Sequence, residues 1–134
     1  MIDIHKAGGV IIKDRKVLVA RSINKDSFMT PGGKLENEET PVQALKRELM
    51  EEIQINVDTN TLEHLGTFEA EAAGKAGVNL RMDVYLVKDF MGEPRPSSEI
   101  EEIKWIGTQT RGIEIGSIFE HDVMPLLKQR NLID

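Results

Sequence analysis

The sequence contains no cysteine, and only 4% of its residues are aromatic. The first absence removes disulfide scaffolds, thiol catalysis and cysteine-ligated zinc together. The second leaves few rings for stacking against a planar ligand. Long apolar runs are also missing. Val10-Ile11-Ile12 and Val17-Leu18-Val19-Ala20 fall far short of the ~18 residues a membrane span needs. The segment Met1-Ile2-Asp3-Ile4-His5 lacks the charged start and long apolar stretch of a secretory signal. Basic residues are in deficit, 17 against 23 acidic ones for a net charge of −6, which argues against wrapping a nucleic-acid backbone. No Gly-x-x-x-x-Gly-Lys-Ser/Thr loop, His-Glu-x-x-His pair, Gly-x-Ser-x-Gly elbow or calcium loop occurs. The histidines, His5, His64 and His121, are scattered and read as surface or structural residues.

What is present is the composition of a globular protein, with 40% hydrophobic and 30% charged residues over 134 positions. That length predicts one domain, 1–134, and the absences above predict no partner of nucleic-acid or membrane type and a cytoplasmic location. Strands are predicted over residues 7–13 and 17–20, joined by a turn at Asp14-Arg15. Further strands are predicted over 62–68, 79–87 and 103–106, with a loop over 69–78. In 79–87, Leu80, Met82, Val84 and Leu86 alternate with Arg81, Asp83 and Tyr85. A helix begins after Thr40, which with Gln43 forms a Thr-x-x-Gln capping box, and Pro41 suits its first turn. Val42, Leu45, Leu49 and Ile53 make its apolar stripe. A second amphipathic helix is predicted from Ser117 to about Arg130. Strands interleaved with two helices predict an α/β domain, a mixed sheet flanked by helices.

The first helix carries the chemistry. At 100° per residue, Glu52 lies about 40° to one side of Glu48, and Glu51 about 60° to the other. The three carboxylates are therefore expected on one face, roughly opposite the apolar stripe. They occupy the last turns, where the helix dipole disfavours an anion by ~0.3–1 kcal/mol and like charges at i,i+4 repel. A helix selected for stability alone would carry lysine or arginine there. Hard oxygen donors gathered against these penalties suit a divalent cation such as Mg²⁺ or Mn²⁺.

The stretch from Gly33 through Glu39 to Arg47-Glu48-Leu49-Met50-Glu51-Glu52-Ile53-Gln54-Ile55 resembles the signature of the Nudix hydrolases. That signature reads Gly, five residues, Glu, seven residues, then Arg-Glu-aliphatic-x-Glu-Glu-x-Gly-aliphatic. Gly33, Glu39, Arg47, Glu48, Leu49, Glu51, Glu52 and Ile55 match it, and Gln54 replaces the usual glycine. The strand with Gly8-Gly9 and the Gly92-Glu93-Pro94 loop fit the same family. That glycine ends the helix in a left-handed conformation, which costs a non-glycine residue ~1 kcal/mol, so Gln54 leaves the C-cap geometry open without removing a ligand.

The resemblance implies an α/β/α sandwich and metal-dependent hydrolysis of a diphosphate bond in a nucleoside diphosphate linked to another group X. It implies metal binding by Glu48, Glu51, Glu52 and the Gly32 carbonyl, with Arg47 orienting the glutamates and Glu39 supporting the loop. The general base is Glu48 or an acid of a later loop, with Glu99 favoured first and Glu102 second. Arg21 as phosphate partner, with Phe28, Gly33 and Tyr85, is the substrate-binding expectation. Small size favours a MutT-like (deoxy)nucleoside triphosphate pyrophosphohydrolase. ADP-ribose, nucleotide sugars and dinucleoside polyphosphates are alternative substrates, and a non-catalytic nucleotide sensor is the alternative of another class. Specificity is expected in loops 22–30, 69–78 and 107–117. The partner expected is a nucleotide-type small molecule; the sequence leaves the oligomeric state open, although dimers are common among proteins of this resemblance and a homodimer is one of its options. The acidity is also local. Residues 34–52 hold Glu36, Glu38, Glu39, Glu48, Glu51 and Glu52 against three cations, and residues 93–102 hold Glu93, Glu99, Glu101 and Glu102 against Arg95.

Overall fold

The computed structural model describes residues 2–71 and 75–134. In chain order the elements are β1 (Ile4–Val10), β2 (Ile12–Lys13), β3 (Lys16–Ser22), β4 (Ser27–Phe28), β5 (Gly32–Lys34) and α1 (Pro41–Ile53). There follow β6 (Asn56–Val57), β7 (Glu63–Glu71), β8 (Asn79–Leu86), β9 (Phe90–Met91), β10 (Ile100–Ile106), β11 (Glu114–Ile115) and α2 (Met124–Gln129). A mixed sheet runs β5-β1-β8-β7, in which β1 is parallel to β8 and the other pairings are antiparallel. An antiparallel sheet runs β10-β3-β2. The Asp14-Arg15 turn closes the β2–β3 hairpin with both residues at positive φ, 52° and 61°, the geometry that matches strand twist in tight hairpins.

Alternation in the strands produces two apolar layers. Ala7, Ile11 and Leu18 pack with Leu45, Leu49 and Ile53 of α1. Val10, Val17, Leu80, Met82 and Val84 pack instead with Phe119, Val123 and Leu127 of the C-terminal helical segment. Helices thus cover opposite sides of the mixed sheet, the α/β/α arrangement expected from the sequence.

The element boundaries depart from the sequence expectation where pairing overrides local pattern. Strand 1 starts at Ile4, because its register with β8 runs from Ile4 opposite Leu80 to Val10 opposite Leu86. Ile11 then interrupts the predicted 7–13 strand. Strand β10 starts at Ile100 because β3 extends to Ser22 and pairs with it. Glu69, Ala70 and Glu71 of the predicted loop belong to β7, paired with β8, and residues 72–74 lie outside the described residues. The C-terminal helical segment starts at Ser117, as expected, and contains a π turn over Phe119–Val123, in which the Met124 N–H reaches the Phe119 carbonyl five residues back. Pro125, which has no N–H to donate, sits at the transition to α2.

Helix α1 has both capping-box bonds: Gln43 N–H donates to Thr40 Oγ1 at 3.2 Å, and Thr40 N–H to Gln43 Oε1 at 2.9 Å. Its C-cap, Gln54, adopts the left-handed conformation at φ 61° and ψ 34°. Glycine reaches that region without the Cβ penalty, so Gln54→Gly should stabilise the protein by about 1 kcal/mol, read as a higher Tm. Thr40→Ala should cost about 1 kcal/mol through the lost cap. An unchanged or lower Tm for Gln54→Gly would contradict strain at this cap.

Candidate active site

Glu52, Glu48 and Glu51 fan outward across α1, and only the first is buried. Glu52 is 6% exposed, whereas the Glu51 side chain is 50% exposed. This corrects the expectation of a single face opposite the apolar stripe. Glu52 follows Leu49 by three residues and precedes Ile53 by one, so it borders the stripe and is carried inward with it. Glu51 lies about 100° further round and meets solvent.

The buried carboxylate has a specific partner. The Gly32 N–H donates to Glu52 Oε1 at 2.8 Å, joining α1 to β5. A Cβ on Gly32 would lie 2.0 Å from the Ala7 carbonyl oxygen, and one on Gly33 2.4 Å from Glu48 Cδ. Both glycines therefore admit close approach, Gly32 to β1 and Gly33 to the Glu48 carboxyl. Burial pushes the Glu52 carboxyl up to about 8 against the stabilising Gly32 amide, and Glu48 and Glu99 add like-charge repulsion. Burial also raises Glu48, although the Arg47 guanidinium opposes it.

Arg47 organises the rest. Its Nε and Nη2 donate to the two Glu39 carboxylate oxygens at 2.8 and 2.9 Å, its Nη1 to Glu48 at 2.8 Å, and its Nη2 to the Lys34 carbonyl at 3.0 Å. Its contact with Glu51 is looser, at 3.3 Å. This fork holds Glu39 down to about 2, through the Arg47 hydrogen bonds first and the Glu36 amide second. At the helix C-terminus, the Arg95 and Ser97 amides donate to the carbonyls of Ile53 and Glu52, at 3.0 and 2.9 Å. These bonds satisfy terminal carbonyls and lead the chain toward Glu99.

Two cavities adjoin this face. One, of about 360 Å³, is lined by Glu48, Glu52, Glu99, Gly32 and Gly33 among others. The second, of about 410 Å³, has an apolar floor that includes Ile4, Leu80, Met82 and Phe119. Lys25 and Asp26, Glu71 and Lys75, and Glu114 and Gly116 line it too, so the three loops nominated for specificity converge on one space. Lys6, Ser22, Met29, Thr30 and Lys34 line both cavities.

Three of the nominated substrate residues line neither cavity. Arg21 is tied to Glu101 at 2.6 Å and Glu102 at 3.2 Å, the pairing of β3 with β10 bringing them together. Phe28 is buried in the core, its ring 5.7 Å from the Arg21 guanidinium, while Ser27 and Met29 on either side of it face the second cavity. Tyr85 lies on the α1 side of the sheet beside His64, with ring centroids 5.1 Å apart, on the face opposite Leu80 and Met82. His5 and His64 flank Asp83 at 2.6 and 3.0 Å, a polar cluster away from the cavities. Trp105 is only partly buried, against the α1-side core. Of the candidate bases, Glu99 faces Glu48 and Glu52, whereas Glu102 is paired with Arg21 and Lys104.

Among the described residues, no three His, Asp or Glu side chains stand in a metal-holding cluster. The donor chemistry nonetheless fits a divalent cation: two desolvated carboxylates, Glu48 and Glu52, with the acid Glu99 lining the same cavity. The sequence reading missed Lys6 and Lys34. For Lys34 the available signal was its place directly after Gly33. For Lys6 it was a cation alternating with Ile4 and Val10 on an otherwise apolar strand face.

Comparison with known proteins agrees with the fold and the box. A family model described as the NUDIX domain matches residues 3–110. The chain is 48% identical over 64 residues to an 8-oxo-dGTP diphosphatase of Proteus vulgaris, covering 44% of this chain and 57% of that protein. It is 35% identical over 91 residues to an 8-oxo-dGTP diphosphatase of Escherichia coli K12, covering 68% of this chain and 65% of that protein. The match thus spans less than two thirds of either relative. The crystal structure of a MutT NUDIX hydrolase from Burkholderia pseudomallei superimposes with a TM-score of 0.75 at 25% identity, covering 93% of this chain and 95% of that one. By its box residues, its fold and this family match, the chain belongs to the Nudix family.

Proposed function

We propose that the chain is a metal-dependent pyrophosphohydrolase of nucleoside triphosphates, with oxidised purine nucleotides as the first candidates. The observation that carries this reading is the junction of a carboxylate-lined cavity with an apolar one through shared lysines. The names of the relatives support the substrate class, 8-oxo-dGTP diphosphatases in both bacteria. The same reading places the enzyme with the nucleotide pool, in the cytoplasm, and takes residues 1–134 as one domain.

Glu48, Glu51 and Glu52 would hold the cation, Mg²⁺ or Mn²⁺. When bound, the cation neutralises phosphate charge and polarises phosphorus toward water. The chain supplies the positioning. The Gly32 amide fixes Glu52, and Arg47 braces Glu48 and Glu51. Glu99, open to the carboxylate cavity, accepts the proton of the attacking water, whose oxygen bonds to phosphorus as the bridging P–O bond breaks. The apolar cavity takes the base.

Glu52→Gln should keep the fold, since an amide oxygen can still accept from Gly32, and lower hydrolysis by a factor of about 10³. Glu99→Gln should cost far more activity than Glu102→Gln, and a reversed order would remove Glu99 as the base. A screen of nucleoside triphosphates, ADP-ribose, nucleotide sugars and dinucleoside polyphosphates tests the substrate class. ADP-ribose cleaved well above every triphosphate would overturn it.

The Glu52 pKa gives a pH signature. Its folded value, about 8, lies above the ordinary 4.5, so the folded state holds the proton more tightly. The stabilisation is complete below about 4.5 and is lost as pH rises to about 8. Metal-free protein should therefore melt at progressively lower temperature between pH 5 and pH 8, and Glu52→Gln should flatten that slope. Affinity for Mg²⁺ should rise over the same window, because the cation needs the ionised carboxylate. Saturating Mg²⁺ at pH 8 should accordingly raise Tm, and no shift would count against the metal site.

A further inference from the structure

Lys6 and Lys34 stand side by side at the boundary of the two cavities. They are cross-strand partners in the β1–β5 register, and both line both cavities. Lys6 alternates along β1 with Ile4 and Val10, which join the core on that side, so its stem lies against apolar surface. Among the described residues, neither ammonium has a hydrogen-bond or ion-pair partner. Burial pushes the Lys6 ammonium down, and Lys34 pushes it further, while Glu52 and Glu48 oppose from the carboxylate cavity. Lys75, which also lines the apolar cavity, adds a third cation that acts on Lys6.

Two adjacent cations, one of them partly desolvated, destabilise the empty protein, and a polyanion lying across them would relieve that cost. The placement says which part of a ligand would do so. A substrate with its reacting phosphates at Glu48 and Glu52 and its base over Leu80 and Met82 must run its phosphate chain past Lys6. Lysine suits this role as a compact point charge that tolerates several phosphate positions.

We propose that Lys6, with Lys34, binds the phosphate chain between the two cavities, at the phosphates that join the nucleoside to the reacting bond. The proposal rests on the hydrolase reading above and deepens it. Lys6 thereby acts as a substrate-binding residue, since the phosphate joined to the nucleoside lies at this point in triphosphates and nucleotide sugars alike. Its rival role is that of a counter-cation for Glu48 and Glu52 with no part in substrate binding. The two roles predict different behaviour.

Lys6→Met keeps the length of the stem and removes the charge, and Lys6→Arg restores the charge. In steady-state assays with Mg²⁺, Lys6→Met should raise KM for a nucleoside triphosphate at least about tenfold. Its kcat should stay within about threefold, and its KM for a nucleotide sugar should rise by a similar factor. Lys6→Arg should recover most of the loss. Lys34→Met, at a more exposed position, should shift KM the same way by a smaller factor, which keeps the test open if Lys6→Met does not fold. Calorimetric binding of inorganic tripolyphosphate without metal separates this proposal from the catalytic one. Wild type that binds tripolyphosphate but hydrolyses no nucleotide would sink the hydrolase reading, while weakened binding by Lys6→Met would still sustain the lysine assignment. An unchanged triphosphate KM and unchanged tripolyphosphate affinity in Lys6→Met would overturn it. So would a gain in Mg²⁺ affinity with KM unaltered, the mark of a counter-cation alone.

Discussion

The bond from the Gly32 amide to the buried Glu52 carboxylate joins the two halves of the box. It draws the C-terminal part of α1 onto β5, and β5 in turn pairs with β1. The same contact forces Gly32 against the Ala7 carbonyl and leaves Gly33 no room for a side chain beside Glu48. Arg47 completes the brace by gripping Glu39 at one end of the loop and Glu48 on the helix. Removing charge from this knot would make a more stable helix. Its retention of Glu48, Glu51 and Glu52 in the final turns is a local cost that makes physical sense when a cation completes the site.

The acidity and the lysines answer one electrostatic problem from two sides. Glu48, Glu52 and Glu99 concentrate negative charge in one cavity, where it raises the first two carboxyls as burial does. An anionic substrate would be repelled there without a divalent ion. Immediately next to it, Lys6 and Lys34 provide fixed positive charge, so a net charge of −6 is compatible with binding a phosphate chain. The whole-chain figure concealed this separation of sign.

Much of the candidate site was legible because its signals are local. A capping box, a heptad-scale apolar stripe and a glycine-to-glutamate spacing are read within one helix and the loop before it. Helix α1 accordingly begins at Pro41, as the sequence predicts, and the left-handed cap at Gln54 is what the structure adds. The fan of the glutamates was also implicit in the periodicity, because Glu52 borders the stripe of Leu49 and Ile53. Arg21, Phe28 and Tyr85 were not legible in this way. Their surroundings depend on which strands pair: β10 delivers Glu101 and Glu102 to Arg21, β11 lies beside Phe28, and β7 sets His64 against Tyr85.

The sequence by itself determined the helix that carries the carboxylates, the residues of the box and the family, since each rests on spacing along one short segment. Only the tertiary structure decided that Glu52 is buried and Glu51 is not, that Glu99 and not Glu102 faces them, and that Lys6 meets Lys34. Those outcomes depend on strand register between segments distant in sequence, as in Ile4 against Leu80. Periodicity tells which side of a strand a residue occupies, but the neighbour across the sheet is set by the packing of the whole chain.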